Sequence, residues 1–170
     1  EIALTLMMIL VVPIAVMMHT VTSWIFAMTL REPWDSPVFG VYFVAGAIYS
    51  GTGIIIIFLA VLRKAYRLEA FITPTHFVYL GYLLVGFAGI MFFFNMSEIV
   101  THAYKLRGQI SHHLESLFVG DKAILFWSYF WGSLILPIVI IVLPFTRNIV
   151  GIVVASIFVN IGMFIERYLI

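Results

Sequence analysis

The stretch IALTLMMILVVPIAVMMHTVTSWIFAMTL, residues 2–30, contains no Asp, Glu, Lys or Arg, and His19 is its one ionisable side chain. As a helix it outruns the roughly 30 Å hydrocarbon core of a bilayer, at about 1.5 Å per residue. No basic segment precedes it and it is too long for a signal-peptide core, so it reads as a retained span. Four comparable apolar runs follow. The spacing predicts five transmembrane helices over residues 2–30, 38–65, 75–104, 122–143 and 147–170, an all-α integral membrane fold forming a single helical domain over residues 1–170. Composition agrees, with 64% hydrophobic residues, 10% charged residues and a mean hydropathy of +1.15. That is more apolar surface than one water-soluble core of this size can hide.

The absence of cysteine excludes disulfides, thiolate-held iron–sulfur clusters and covalent c-type haem within these 170 residues. A net charge of +1 gives no footprint for nucleic acid. The longest loop is under about 20 residues, so a catalytic soluble domain has to be another subunit. Glu1 leads straight into a helix and Glu166-Arg167-Tyr168 closes the last one without a tail, which reads as a piece of a longer protein.

Short loops rich in Lys and Arg stay on the cytoplasmic side. Arg63, Lys64 and Arg67 therefore set the 63–69 loop inside, and the 31–37 turn and the 105–121 loop outside. Pro13 and Pro137 lie within spans and are expected to kink them by removing an amide donor. Gly46, Ser50, Gly51 and Gly53 in the second span, and Gly81, Gly86 and Gly89 in the third, are expected to let helices pack closely.

Ionisable groups are costly in hydrocarbon, so they face an interior or a cavity and point to function. His19 lies about 16 Å before the end of its span, and Glu98 about 10 Å before Lys105. Asn95, Glu98 and His102, spaced i, i+3, i+7, share one helix face. His19 and Ser23, with Thr22 beside them, share a face of the first span. Two opposed polar stripes would enclose a polar pocket, all in the outer half. The bland reading of His19 is a ring bonded to a neighbouring threonine or carbonyl. Glu166 and Arg167 point about 100° apart on their helix, so each is expected to pair with another span, Glu98 with Arg167 in particular. His76 reads as interfacial, and His112-His113 is a weak metal signal; no metal site is expected. Trp24, Trp34, Trp127, Trp131, Tyr42, Tyr104 and Tyr129 read mainly as an aromatic belt.

The strings HTVTSWIFA (19–27), WDSP (34–37), YFVAGAIYSG (42–51) and NIGMFIER (160–167) resemble the polysulfide reductase membrane-subunit family, NrfD-like. Within it the likeness is to the quinone-interacting subunits of alternative complex III and of the sulfite-reduction-associated membrane complex. The resemblance implies a C-terminal part of an eight-to-ten-helix protein built of two four-helix bundles. It implies a multi-pass subunit in a bacterial or archaeal cell (inner) membrane, part of a quinol-linked respiratory oxidoreductase complex and not catalytic alone. Such a subunit exchanges electrons between quinone or quinol (menaquinone or ubiquinone) and a ferredoxin-like iron–sulfur subunit on the outer face, beside other membrane subunits, with no haem or iron–sulfur cluster of its own. His19 matches the histidine proposed to line the quinone pocket. The pattern differs at Ile25, where relatives often carry a carboxylate, and at Asp35, where they often carry histidine.

Quinol oxidation releases two electrons and two protons. A histidine can accept such a proton near neutral pH, which makes His19 the candidate partner of a quinone oxygen, with Asp35 and Glu98 as relay groups. Ser23, Trp24, Phe26 and His102 are the candidate pocket lining. Two other readings rest on isolated residues. His19 and His102 could ligate a haem in a b-type cytochrome membrane anchor, or the carboxylates and histidines could serve a proton- or ion-translocating subunit.

Overall fold

The structure is a computed structural model that describes residues 2–29, 38–105 and 115–169, without the side chains of His102 and Lys105. Among the described residues five helices are long and apolar enough to cross a membrane: α1 (Ile2–Ala27), α2 (Phe39–Ala65), α3 (Pro74–Lys105), α4 (Ala123–Val142) and α5 (Ile149–Leu169). The same residues contain no strand. Each helix begins and ends within a few residues of the expected span, because a backbone in hydrocarbon must satisfy its own hydrogen bonds and the apolar run sets the helix length.

Helices α2 to α5 form a bundle around one core. The inward positions recur every seven residues: Tyr42, Tyr49 and Ile56 on α2, Phe77, Leu84 and Met91 on α3, and Ile152, Val159 and Glu166 on α5. A sevenfold repeat keeps one stripe facing its neighbours along a gently supercoiled helix pair. Helix α1 lies outside this bundle. It packs on α2 and on no other described helix, and of its 26 residues Ser23 alone is buried. Its leucines and methionines face outward at no cost in a lipid solvent.

The two expected kinks resolve differently. α1 runs unbroken through Pro13. In α4 the segment Phe130–Ile135 is π-helical, directly before Pro137. Proline has no N–H, so the carbonyl of Ser133, four residues back, loses its helical donor. The hydroxyl of Tyr49, fully buried on α2, donates to that carbonyl at 2.5 Å. The wider turn also brings Ser133 against Gly162 of α5, where a methyl group would collide with the serine side chain. Tyr49→Phe leaves the carbonyl buried and unpaired, and should cost about 1–3 kcal/mol, read as a lower unfolding midpoint in detergent. Tyr49→Phe combined with Pro137→Ala should regain part of that loss, since alanine restores an amide donor.

Of the glycines expected at helix contacts, Gly46 and Gly53 of α2 meet α5 closely. A Cβ at either would stand 2.6 Å from a side-chain nitrogen of Arg167 or Asn160 respectively. Gly81 lies against Ile141 and Ile152, whereas Gly51, Gly86 and Gly89 face open space.

Candidate functional site

At the end of the bundle opposite the 63–69 loop, four helices each place one polar side chain in the interior. Tyr42 comes from α2, Asn95 from α3, Tyr129 from α4 and Glu166 from α5; Tyr42, Tyr129 and Glu166 are 3%, 1% and 3% exposed. The Asn95 amide nitrogen donates to the Tyr129 hydroxyl at 2.9 Å and to the Met91 carbonyl at 2.8 Å. The Tyr42 hydroxyl, at 3.4 Å, is its third and weakest acceptor. The Glu166 carboxyl shares this interior, and neither of its buried oxygens accepts a hydrogen bond from the described residues.

A buried carboxyl close to two hydroxyls inside a membrane is a group that can take up a proton or release one.

Arg167 closes the cluster. Its Nε stands 3.3 Å from the Glu166 carboxyl, and its guanidinium lies over the Phe43 ring, 4.1 Å from the centroid. Gly46 leaves the room that the guanidinium occupies. This corrects the expectation that adjacent Glu166 and Arg167 pair with other spans. The arginine chain is long enough to double back across the 100° between them, and the aromatic ring of α2 holds it there.

Tyr42 and Tyr129 are a second correction, for they are interior residues and not part of an aromatic belt. Trp24, Trp127, Trp131 and Tyr104 do lie on the outer surface. Only the i, i+7 relation of Tyr42 to Tyr49 and Ile56 hints in the sequence that Tyr42 faces inward.

His19 lies on the exposed side of α1. Its Nδ1–H donates to the Ala15 carbonyl at 2.7 Å, since a carbonyl can only accept. Nε2 is left with the lone pair, an acceptor directed out of the helix. Ser23 is buried and bonds back to the Thr20 carbonyl at 2.7 Å. Trp24 is exposed, with its indole nitrogen against Gly40 of α2, and Phe26 is also exposed. Glu98 is half-buried on α3, one turn beyond Asn95. Asp35, His112, His113 and the His102 side chain lie outside the described residues.

The two polar stripes do not oppose one another. α1 packs on the flank of α2, so the His19 face never meets α3, and the enclosed polar cluster is built instead from α2 to α5. Among the described residues no three His, Cys, Asp or Glu side chains converge as a metal site.

The family model described as polysulphide reductase, NrfD, matches residues 1–170. A protein of Halobacterium salinarum described as a membrane subunit of dimethyl sulfoxide reductase is 30% identical over 162 residues, which cover 91% of this chain and 35% of that protein. The chain thus spans about a third of the length of the curated relative it matches.

Proposed function

This multi-pass membrane chain belongs to the polysulphide reductase NrfD family, and we propose that it is part of the membrane subunit of a reductase complex, exchanging electrons between membrane quinol and an iron–sulfur partner. The observation that carries the reading is the enclosed polar cluster at one end of the bundle, where Asn95 bonds Tyr129 and Tyr42 and the Glu166 carboxyl is buried with them. Quinone chemistry couples two electrons to two protons, and an ionisable carboxyl buried in a membrane interior points to the handling of protons. The relative's name, a dimethyl sulfoxide reductase membrane subunit, supports the assignment to a reductase.

His19 acts in this reading from the bilayer side of α1. Its Nε2 lone pair accepts the proton of a quinol hydroxyl, while the bond from Nδ1 to Ala15 fixes the tautomer. Asp35, in the turn that follows α1 in sequence, is the relay group for His19, and Glu98, half-buried at the same end on α3, serves the bundle side. The iron–sulfur partner docks over the 31–37 turn and the 105–121 loop, the connections at this end of the bundle.

A photoreactive quinone analogue in the assembled complex tests the proposal. Label is expected in the second half of α1 and the first half of α2, competed away by quinol. Label confined to the 63–69 end, or cross-links from the iron–sulfur subunit to that loop alone, would overturn it.

A further inference from the structure

At the far end of the bundle the α2–α3 connection carries a second feature, independent of quinone chemistry. A groove of about 340 Å³ opens between α2 and α3, lined by Leu59, Phe71, Ile72, His76, Tyr79 and Leu80. Arg63 and Lys64 lie in the last turn of α2, and Arg67 and the acidic Glu69 follow in the connection that leads to the groove residues Phe71 and Ile72. The Arg63 Nε donates to the carbonyl of Ile72 at 2.8 Å, which ties its guanidinium to the groove wall. The Thr73 backbone N–H donates to His76 Nδ1 at 3.2 Å, so Nε2 carries the proton and is the donor end of this ring. Phe71 and Tyr79 of the lining, and Tyr66 at the C-cap of α2, are largely exposed, as aromatic side chains at headgroup depth are.

The backbone adds an independent observation. Arg67 has φ +53°, making it the one non-glycine residue with positive φ among those described. It follows the C-cap Tyr66, and the Leu68 N–H donates to the Arg63 carbonyl at 3.0 Å, the closing bond of a Schellman turn. Glycine is the unstrained residue at that position, because a side chain there crowds the carbonyl. A basic side chain held in the left-handed region accepts strain that glycine would avoid, and strain of this kind points to a use for the side chain.

We infer that this end of the bundle binds an anionic phospholipid, with its phosphate on Arg63, Lys64 and Arg67 and part of one acyl chain in the groove. A cation cluster selects the anionic headgroup. The apolar lining beneath it selects a lipid over a free phosphate. Arg147, at the same end of the bundle, is engaged by the Tyr82 hydroxyl and ring and takes no part.

The test is binding of single lipids to the intact detergent-purified protein by native mass spectrometry, with thermal unfolding as a parallel readout. Phosphatidylglycerol is expected to bind at least about tenfold more tightly than phosphatidylcholine, and to raise the unfolding midpoint. Lys64→Gln with Arg67→Gly should weaken phosphatidylglycerol roughly 10- to 30-fold, from two lost surface charges. The double variant should be no less stable than wild type in phosphatidylcholine, because glycine relieves the turn. Phe71→Ser, at a side chain 79% exposed and so outside the core, should weaken the lipid with the charges intact. Equal binding of the two lipids, or displacement of phosphatidylglycerol by equimolar glycerophosphate, would overturn the inference. Unchanged lipid binding in either variant would do the same.

Discussion

Glu166→Leu is expected to lower the stability of the protein by about 3–5 kcal/mol, because it strands the partly buried Arg167 without its carboxyl. Leucine fits the sevenfold inward stripe of α5, so steric misfit does not explain the loss. The cost is electrostatic. Removing both charges in Glu166→Leu with Arg167→Leu should therefore recover most of it, as buried pairs replaced together by apolar residues often do. Thermal unfolding of the purified single and double variants measures the coupling. A single variant that unfolds with the wild type would mean that the ion pair carries no stability, and that the cluster is held by Asn95 and the tyrosines.

The second large effect concerns turnover. His19→Leu is expected to lower quinol-dependent electron transfer by about 100-fold or more in the assembled complex, the usual range for losing a positioned acid–base group. The side chain is exposed on α1 and bonds only within its own helix turn, so leucine removes no interhelical packing. Assembly and unfolding midpoint should stay at wild-type values, which separates a chemical loss from a structural one. His19→Gln, which keeps an oxygen acceptor but cannot take a proton near neutral pH, should be nearly as slow. Full turnover in His19→Leu would remove this histidine from the reaction and leave the buried Glu166 carboxyl as the proton-handling group.

Glu166 shows how far the residues can be read in advance. Its position in the last span marks it as costly, yet the sequence points to a partner on another helix. Adjacency on a helix implies divergence, whereas the length of the arginine side chain and the ring of Phe43 make it convergence. Tyr42 and Tyr129 are harder. Tyrosine suits a membrane interface as well as a core, and only their shared hydroxyl partner, Asn95 of α3, distinguishes the two. The π-helical turn of α4 has a single trace in the sequence, Pro137. Nothing local shows that a tyrosine from α2 supplies the donor that proline withholds.

The sequence alone determined that the chain is helical, that five of its segments span a membrane, and that its polar residues gather toward one end. Those properties follow from run length and depth, since hydrocarbon forces each apolar run to satisfy its backbone as a helix. Tertiary structure decided which faces turn inward. In lipid an apolar side chain is equally at home inside the bundle and outside it, so hydropathy does not mark the inner face. Packing does, and it set α1 apart on α2 and closed Tyr42, Asn95, Tyr129 and Glu166 into one cluster.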